Sequence, residues 1–156
     1  MVVTSVAVLA MTVTMVVALC IVLLRRQFTV ITVRGGSMLP TLHPGDRVLI
    51  RHGIGRRLRV GALIVFRPPM SSYPSRPLWP LTPGVTRNGW AIKRVAALPG
   101  AAVPESMLTA TGGMPVVPSG MLLVSADNQN GRDSRDWGFI PADSVLGPVI
   151  RSIAVR

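Results

Sequence analysis

The chain has few of the residues on which disulfide or metal chemistry depends. Of its 156 residues one is cysteine, Cys20, and two are histidine, His43 and His52. A single cysteine closes no internal disulfide, which removes the small oxidised scaffolds without bearing on compartment. No grouping of His, Cys, Asp and Glu has metal-ligand spacing, so no metal and no other cofactor is expected. Acidic residues are scarce as well, 6 against 17 basic ones, for a net charge of +11. Such an excess points to nucleic acid or to an anionic membrane surface. The arginines are scattered, aromatics make up only 4% of the chain, and no nucleic-acid motif occurs. Lipid is therefore the better partner, and no nucleic acid is expected.

Lysine is rarer still. Lys93 is the only one, beside sixteen arginines. Arginine stays protonated under ordinary conditions, whereas a buried lysine can give up its proton. A chain that uses lysine once has either drifted to that composition or needs one amine for chemistry.

Charge is absent altogether from Met1 to Leu24, where Thr4, Ser5, Thr12 and Thr14 are the only polar interruptions. As a helix this stretch reaches ~36 Å, enough to cross a hydrocarbon core of ~30 Å. It lacks a basic leader, exceeds the ~7–15 apolar residues of a cleaved signal peptide, and has no small-x-small site before the charges. Residues 1–24 are thus expected to be an uncleaved transmembrane anchor and residues 25–156 a β-rich domain. Arg25 and Arg26 just after the anchor favour a cytoplasmic domain by the positive-inside rule.

The domain reads as short strands: Phe28 to Arg34, Arg47 to Arg51, Val60 to Arg67, Trp90 to Val95, Met121 to Ala126 and Val145 to Val155. Residues 53 to 59 read as a solvated basic connection. Six prolines between Pro68 and Gly89 forbid regular structure and mark a long loop. Within that loop, Leu78-Trp79 could meet the membrane interface or pack back on the domain. Gly112-Gly113 suggests a hairpin turn. No amphipathic helical period is found, so the class is mainly β.

Two places could carry chemistry. In Val33 to Ile50, VRGGSMLPTLHPGDRVLI, Ser37 sits between Gly35-Gly36 and Met38-Leu39-Pro40. That backbone suits an exposed nucleophile, and it equally suits an ordinary turn. In WAIKRV, alternation puts Lys93 on one face with Ala91 and Val95. If that face is buried, desolvation lowers the pKa of the amine and makes it a base; otherwise the side chain snorkels to water. His43 and His52 have no matching acid, so a serine here would draw its base from lysine, a known variant of the triad. The polar run Asp127 to Pro141, DNQNGRDSRDWGFIP, is either a solvated loop or support for such a site.

These stretches, taken in order, resemble the type I signal peptidases (leader peptidases). Gly36 to Leu42 matches the nucleophile box, Gly45 to Ile50 the strand after it, and Lys93-Arg94-Val95 with Leu98-Pro99-Gly100 the lysine box. Asp127-Asn128 and Asp133 to Pro141 match the third box. The resemblance implies an antiparallel β-sheet domain that lies on the membrane by an apolar surface, on the extracytoplasmic side and against the bias of Arg25 and Arg26. It implies cleavage of preproteins after a small-x-small motif, with Ser37 as nucleophile and Lys93 as general base. The backbone N–H of Ser37 would serve the oxyanion, with Gly35 and Gly36 shaping that loop and Met38 lining a shallow pocket. Asp127, Ser134 and a paired Asp133 and Arg135 would hold the site's shape. The chain departs from the pattern in four ways. Gly35 stands where some members have a serine hydroxyl for the oxyanion, and Gly131 where some have a serine against the lysine. The loop from Asp127 to Asp133 is one residue short, and Ala62 and Ala126 replace usual members of two Gly-Asp pairs. A dedicated processing peptidase with few substrates, and a non-enzymatic module that binds signal peptides or the membrane surface, are the rival readings.

Overall fold

The computed structural model describes residues 2–53, 58–69 and 89–154. Helix α1 (Val2–Gln27) runs three residues beyond the expected end of the anchor, through Arg25 and Arg26. Its stretch Ala10–Gln27 has mean hydropathy 1.6 and is buried against nothing in the protein. Apolar side chains such as Met11, at 72% exposure, face outward with no protein cover. That is stable in lipid and costly in water. By length and composition α1 can cross a membrane.

The helix passes directly into a seven-stranded antiparallel sheet in the order β1-β2-β7-β3-β4-β5-β6. These strands are β1 (Phe28–Thr32), β2 (Arg47–Arg51), β3 (Leu63–Phe66), β4 (Ala91–Ala97), β5 (Met121–Ser125), β6 (Ile140–Pro141) and β7 (Val145–Ile153). Expected and observed strands coincide over β2 and depart elsewhere for local reasons. Strand β1 stops at Thr32 because the next residue turns inward: the Val33 N–H donates to Asp46 O at 2.7 Å, and the Gly45 N–H to Val33 O at 3.0 Å. Strand β3 begins three residues late because Gly61, at φ +86, forms a turn closed by the Ala62 N–H on Arg59 O. Gly112-Gly113 make no hairpin turn. They end a helical turn through donations to Thr109 O and Leu108 O, while Ala102 and Val116 form the strand-like bridge around it. The run Asp127 to Pro141 holds a one-turn helix, α2 (Ser134–Trp137), and strand β6. The Pro-rich loop from 70 to 88, with Leu78-Trp79, and most of the basic connection (54–57) lie outside the described residues.

The period of two along β3 and β4 separates two cores. Ile64, Phe66, Ala91 and Val95 join Leu122, Val124 and Ile140 on one face. Val65 and Ile92 join Val33, Met38, Leu42, Val48 and Ile50 on the other. A third cluster, around Ala97, Val103, Met107, Val117 and Leu123, fills the lobe beyond β5. Full burial of each such side chain contributes ~1.5–3 kcal/mol. Gly147 is the tightest point of the sheet. A Cβ there would stand 1.8 Å from Arg51 O, so β2 and β7 close only over glycine.

Candidate active site

Lys93 is paired with Ile64 across the β3–β4 ladder. Residues opposite one another in an antiparallel pair share a face, so the amine enters the core of Phe66, Ala91 and Val95. It does not snorkel: Lys93 is 2% exposed. Its Nζ lies 5.9 Å from the centre of the Trp137 ring, which in turn stands edge-on to Phe66. Among the described residues the amine has no hydrogen bond and no ion pair. Burial brings its pKa down from 10.5 to about 8, opposed by the negative charges of Asp133, Asp127 and Asp136. Three of the chain's six acids thus act by charge on its only lysine.

The next residue on β4 points the other way. Arg94 grips Asp127 with two nitrogens, Nε to Oδ1 at 2.8 Å and Nη2 to Oδ2 at 2.6 Å, and its Nη1 donates to Gly61 O at 2.7 Å. The Thr41 hydroxyl donates to the same Asp127 carboxylate. The Arg94 bond, more than its other neighbours, holds the Asp127 carboxyl below the usual carboxylate range. This knot joins the lysine strand, the third box and the loop that carries Ser37.

That loop is tied at both ends. Asp46 closes its base by accepting the His43 N–H at 2.9 Å, and Met38 and Leu42 anchor it in the second core, 2% and 1% exposed. Met38 is therefore a packing residue by contact, whatever edge it lends a pocket. Gly35 has φ +73, a conformation that disfavours any side chain. A serine could stand there only with strain, which accounts for one departure from the resembled pattern. Asn128 straps the middle of the loop: its Nδ2 donates to Gly36 O at 2.9 Å, and its backbone N–H to Ser37 O at 3.1 Å. Ser37 itself is half-buried.

The third box is folded around Asp133, 0% exposed. Its carboxylate caps α2 through the Arg135 N–H, accepts the Ala126 N–H at 2.8 Å, and pairs with the Arg135 guanidinium at 2.9 Å. Burial raises its pKa, but Arg135 and the two backbone donors outweigh it and hold the carboxyl low. Asp136 reciprocates by accepting the Asp133 N–H, which completes a capping box. Buried Ser134 accepts the Val124 N–H at 3.0 Å. Gly131 lies on Ser37: a Cβ there would meet Ala126 Cβ at 2.7 Å and Ser37 Cβ at 3.0 Å. No serine fits at 131 without displacing these neighbours, so the hydroxyl that the resembled pattern would place there has no room.

With this arrangement in hand, comparison with known proteins is decisive. A family model described as signal peptidase, peptidase S26, matches residues 6–109 and 102–153. The chain belongs to this family. It is 32% identical over 155 residues to the probable signal peptidase I-1 of Synechocystis sp., an overlap covering 84% of this chain and 74% of that protein. It is 31% identical over 123 residues to the mitochondrial ATP-independent inner membrane protease subunit 1b of Arabidopsis thaliana, covering 74% and 64% respectively. As a signal peptidase family member the chain is a peptidase related to membrane-associated enzymes. Of the residues singled out from sequence, Ser37 and Gly36 meet the third box at Gly131 and Asn128, and Lys93 meets it at Trp137. Among the described residues no hydrogen bond joins Ser37 to Lys93. Sequence reasoning placed Arg94, Thr41 and Asn128 within the three boxes but gave them no role, because their partners lie 33, 86 and 92 positions away.

Proposed function

We propose that the protein is a membrane-bound serine endopeptidase that removes signal peptides from exported preproteins after a small-x-small motif, with Ser37 and Lys93 as its catalytic pair. The burial of the single lysine carries this reading. An amine with a pKa of about 8 is about one-tenth deprotonated at pH 7 and half deprotonated at pH 8, where a free lysine is almost wholly charged, so it can serve as a general base. Lys93 takes the Ser37 proton as the hydroxyl attacks the peptide carbonyl. It returns that proton to the leaving amine and then activates the water that releases the acyl group. The oxyanion forms against the backbone N–H of Ser37. Asp127 and Asp133, each held ionised by an arginine, fix the third box around both groups without needing a metal or cofactor.

The membrane partner rests on one face of the sheet. Register aligns Val30 with Leu49 and Arg151, Thr32 with Arg47 and Ile153, and Phe28 with Arg51. Val30 and Ile153 are 55% and 51% exposed, and Arg47, Arg51 and Arg151 are exposed beside them. Directly after α1, this apolar and basic face suits a bilayer with anionic headgroups, at ~1 kcal/mol per arginine near the surface. The domain then lies on the extracytoplasmic side, where exported preproteins emerge, despite Arg25 and Arg26. Protease accessibility of a C-terminal tag in intact spheroplasts tests that side, and a protected tag reverses it.

Cleavage of a purified preprotein by wild type, Ser37→Ala and Lys93→Arg tests the chemistry. Both variants should be inactive, because arginine keeps the charge but cannot accept a proton. Retained activity in Lys93→Arg removes the dyad, and an inert wild type favours a module that only binds.

A further inference from the structure

We propose that Asn128 is the positioning residue of the oxyanion site, holding the Gly36–Ser37 and Ser37–Met38 peptides so that their N–H groups stay free for substrate. This rests on the peptidase reading above and extends it to a residue that the third box contains but to which the sequence assigned no part in that chemistry. Two successive carbonyls, Gly36 O and Ser37 O, accept from the same residue, through Asn128 Nδ2 at 2.9 Å and Asn128 N at 3.1 Å. Both peptides are trans, and in a trans peptide the C=O and N–H point in opposite directions. Tying both carbonyls to Asn128 therefore turns the N–H groups of Ser37 and Met38 away from the third box. Neither has a backbone acceptor among the described residues, although the following Leu39 N–H is used on Gly36 O.

Asn128 is itself held. Its Oδ1 accepts the Asn130 N–H at 3.0 Å, which fixes the amide so that Nδ2 faces Gly36. The preceding residue, Asp127, is clamped by Arg94 and Thr41. With Gly35 at φ +73 there is no side-chain hydroxyl beside Ser37 to bind the oxyanion. Stabilisation must come from main-chain donors, and a donor outside its place by a fraction of an ångström loses most of its effect. The backbone bond from Asn128 survives any substitution there, so the side chain's share can be isolated.

The experiment is steady-state cleavage of a preprotein by full-length protein in detergent, comparing wild type, Asn128→Ala and Asn128→Asp. Affinities for a peptide boronic acid and for a non-reactive product peptide are measured in parallel. Asn128→Asp keeps the shape and the acceptor for Asn130 while replacing the donor by an oxygen that repels Gly36 O, so it decides the matter should Asn128→Ala lose its fold. The expected result is a fall in kcat of ~10–100-fold, less than the ~100–1,000-fold of deleting a donor outright. KM and product-peptide affinity should hold within about twofold, and boronate affinity should fall in step with kcat. The alkaline rise in activity of Asn128→Ala should stay centred near pH 8, because Lys93 is untouched. Unchanged kcat in a folded Asn128→Asp overturns the assignment while leaving the peptidase reading intact. So does a loss confined to KM. A wild type that neither cleaves preprotein nor binds boronate overturns the peptidase reading, and this assignment with it.

Discussion

Replacing Lys93 by methionine should stabilise the protein at neutral pH while abolishing cleavage. Methionine has nearly the volume of the lysine side chain and no charge, so it fills the space between Ala91, Val95 and Trp137 at little packing cost. The wild-type amine bears a desolvation penalty there. A fall in pKa from 10.5 to about 8 corresponds to ~3 kcal/mol by linkage. The penalty is complete below about pH 8, where folded and unfolded chains both hold the proton. It shrinks as pH rises, because the folded protein releases the proton near 8 and the unfolded chain keeps it to 10.5. Above 10.5 it is gone. Thermal unfolding of detergent-solubilised wild type and Lys93→Met at pH 6, 8 and 10 reads this directly. At ~2–4 °C per kcal/mol for a chain of this size, the variant should melt roughly 6–12 °C higher at pH 6 and only about 2–3 °C higher at pH 10. A variant no more stable than wild type at pH 6, or an advantage that does not shrink with pH, refutes the argument that burial sets this amine's basicity.

The remaining expectations concern the frame around the pair. Wild-type kcat/KM should climb with pH through about 8 as Lys93 deprotonates, and a pH profile flat between 6 and 9 contradicts that. Gly131→Ala forces a Cβ to 2.7 Å from Ala126 Cβ and 3.0 Å from Ser37 Cβ; it should cost ~1–3 kcal/mol in urea unfolding and lower kcat through Ser37. Asp127→Ala strands the Arg94 guanidinium and frees Thr41, which should cost ~1–3 kcal/mol at pH 7. Because the folded pKa of Asp127 is depressed, its contribution is complete above the ordinary carboxylate range. It disappears as pH falls through the lower folded value, so wild type and Asp127→Ala should converge in acid denaturation. Gly147→Ala, meeting Arg51 O at 1.8 Å, should reduce soluble yield more than any of these, as a count of folded protein by size exclusion will show.

The sequence displayed the candidate groups, Ser37 and Lys93, better than it displayed what holds them. Strand β2 was legible because Arg-Val-Leu-Ile-Arg alternates cleanly, whereas alternation put Lys93 beside small apolar residues and left open whether that face was buried. Strand β6 is two residues long and α2 one turn, too short for any period to register. Their presence depends on Asp133 capping, which a polar run does not advertise. The ties through Thr41, Arg94 and Asn128 are invisible along the chain because each joins segments that meet only when the sheet closes. Gly131 resembled a missing hydroxyl; in the fold it is a close approach of two backbones.

The basicity of Lys93 belongs to the folded sheet and not to the chain. In a nascent or partly inserted polypeptide that amine titrates near its free value and stays charged, while Ser37 is an ordinary alcohol on a slack loop. Pairing β3 with β4, adding β5 beside β4 and docking the third box are what withdraw the amine from water. Proteolytic competence therefore arrives late in maturation, as a by-product of completed packing. On the proposed reading, an unfinished copy of the chain has no base and is silent until its own sheet is complete.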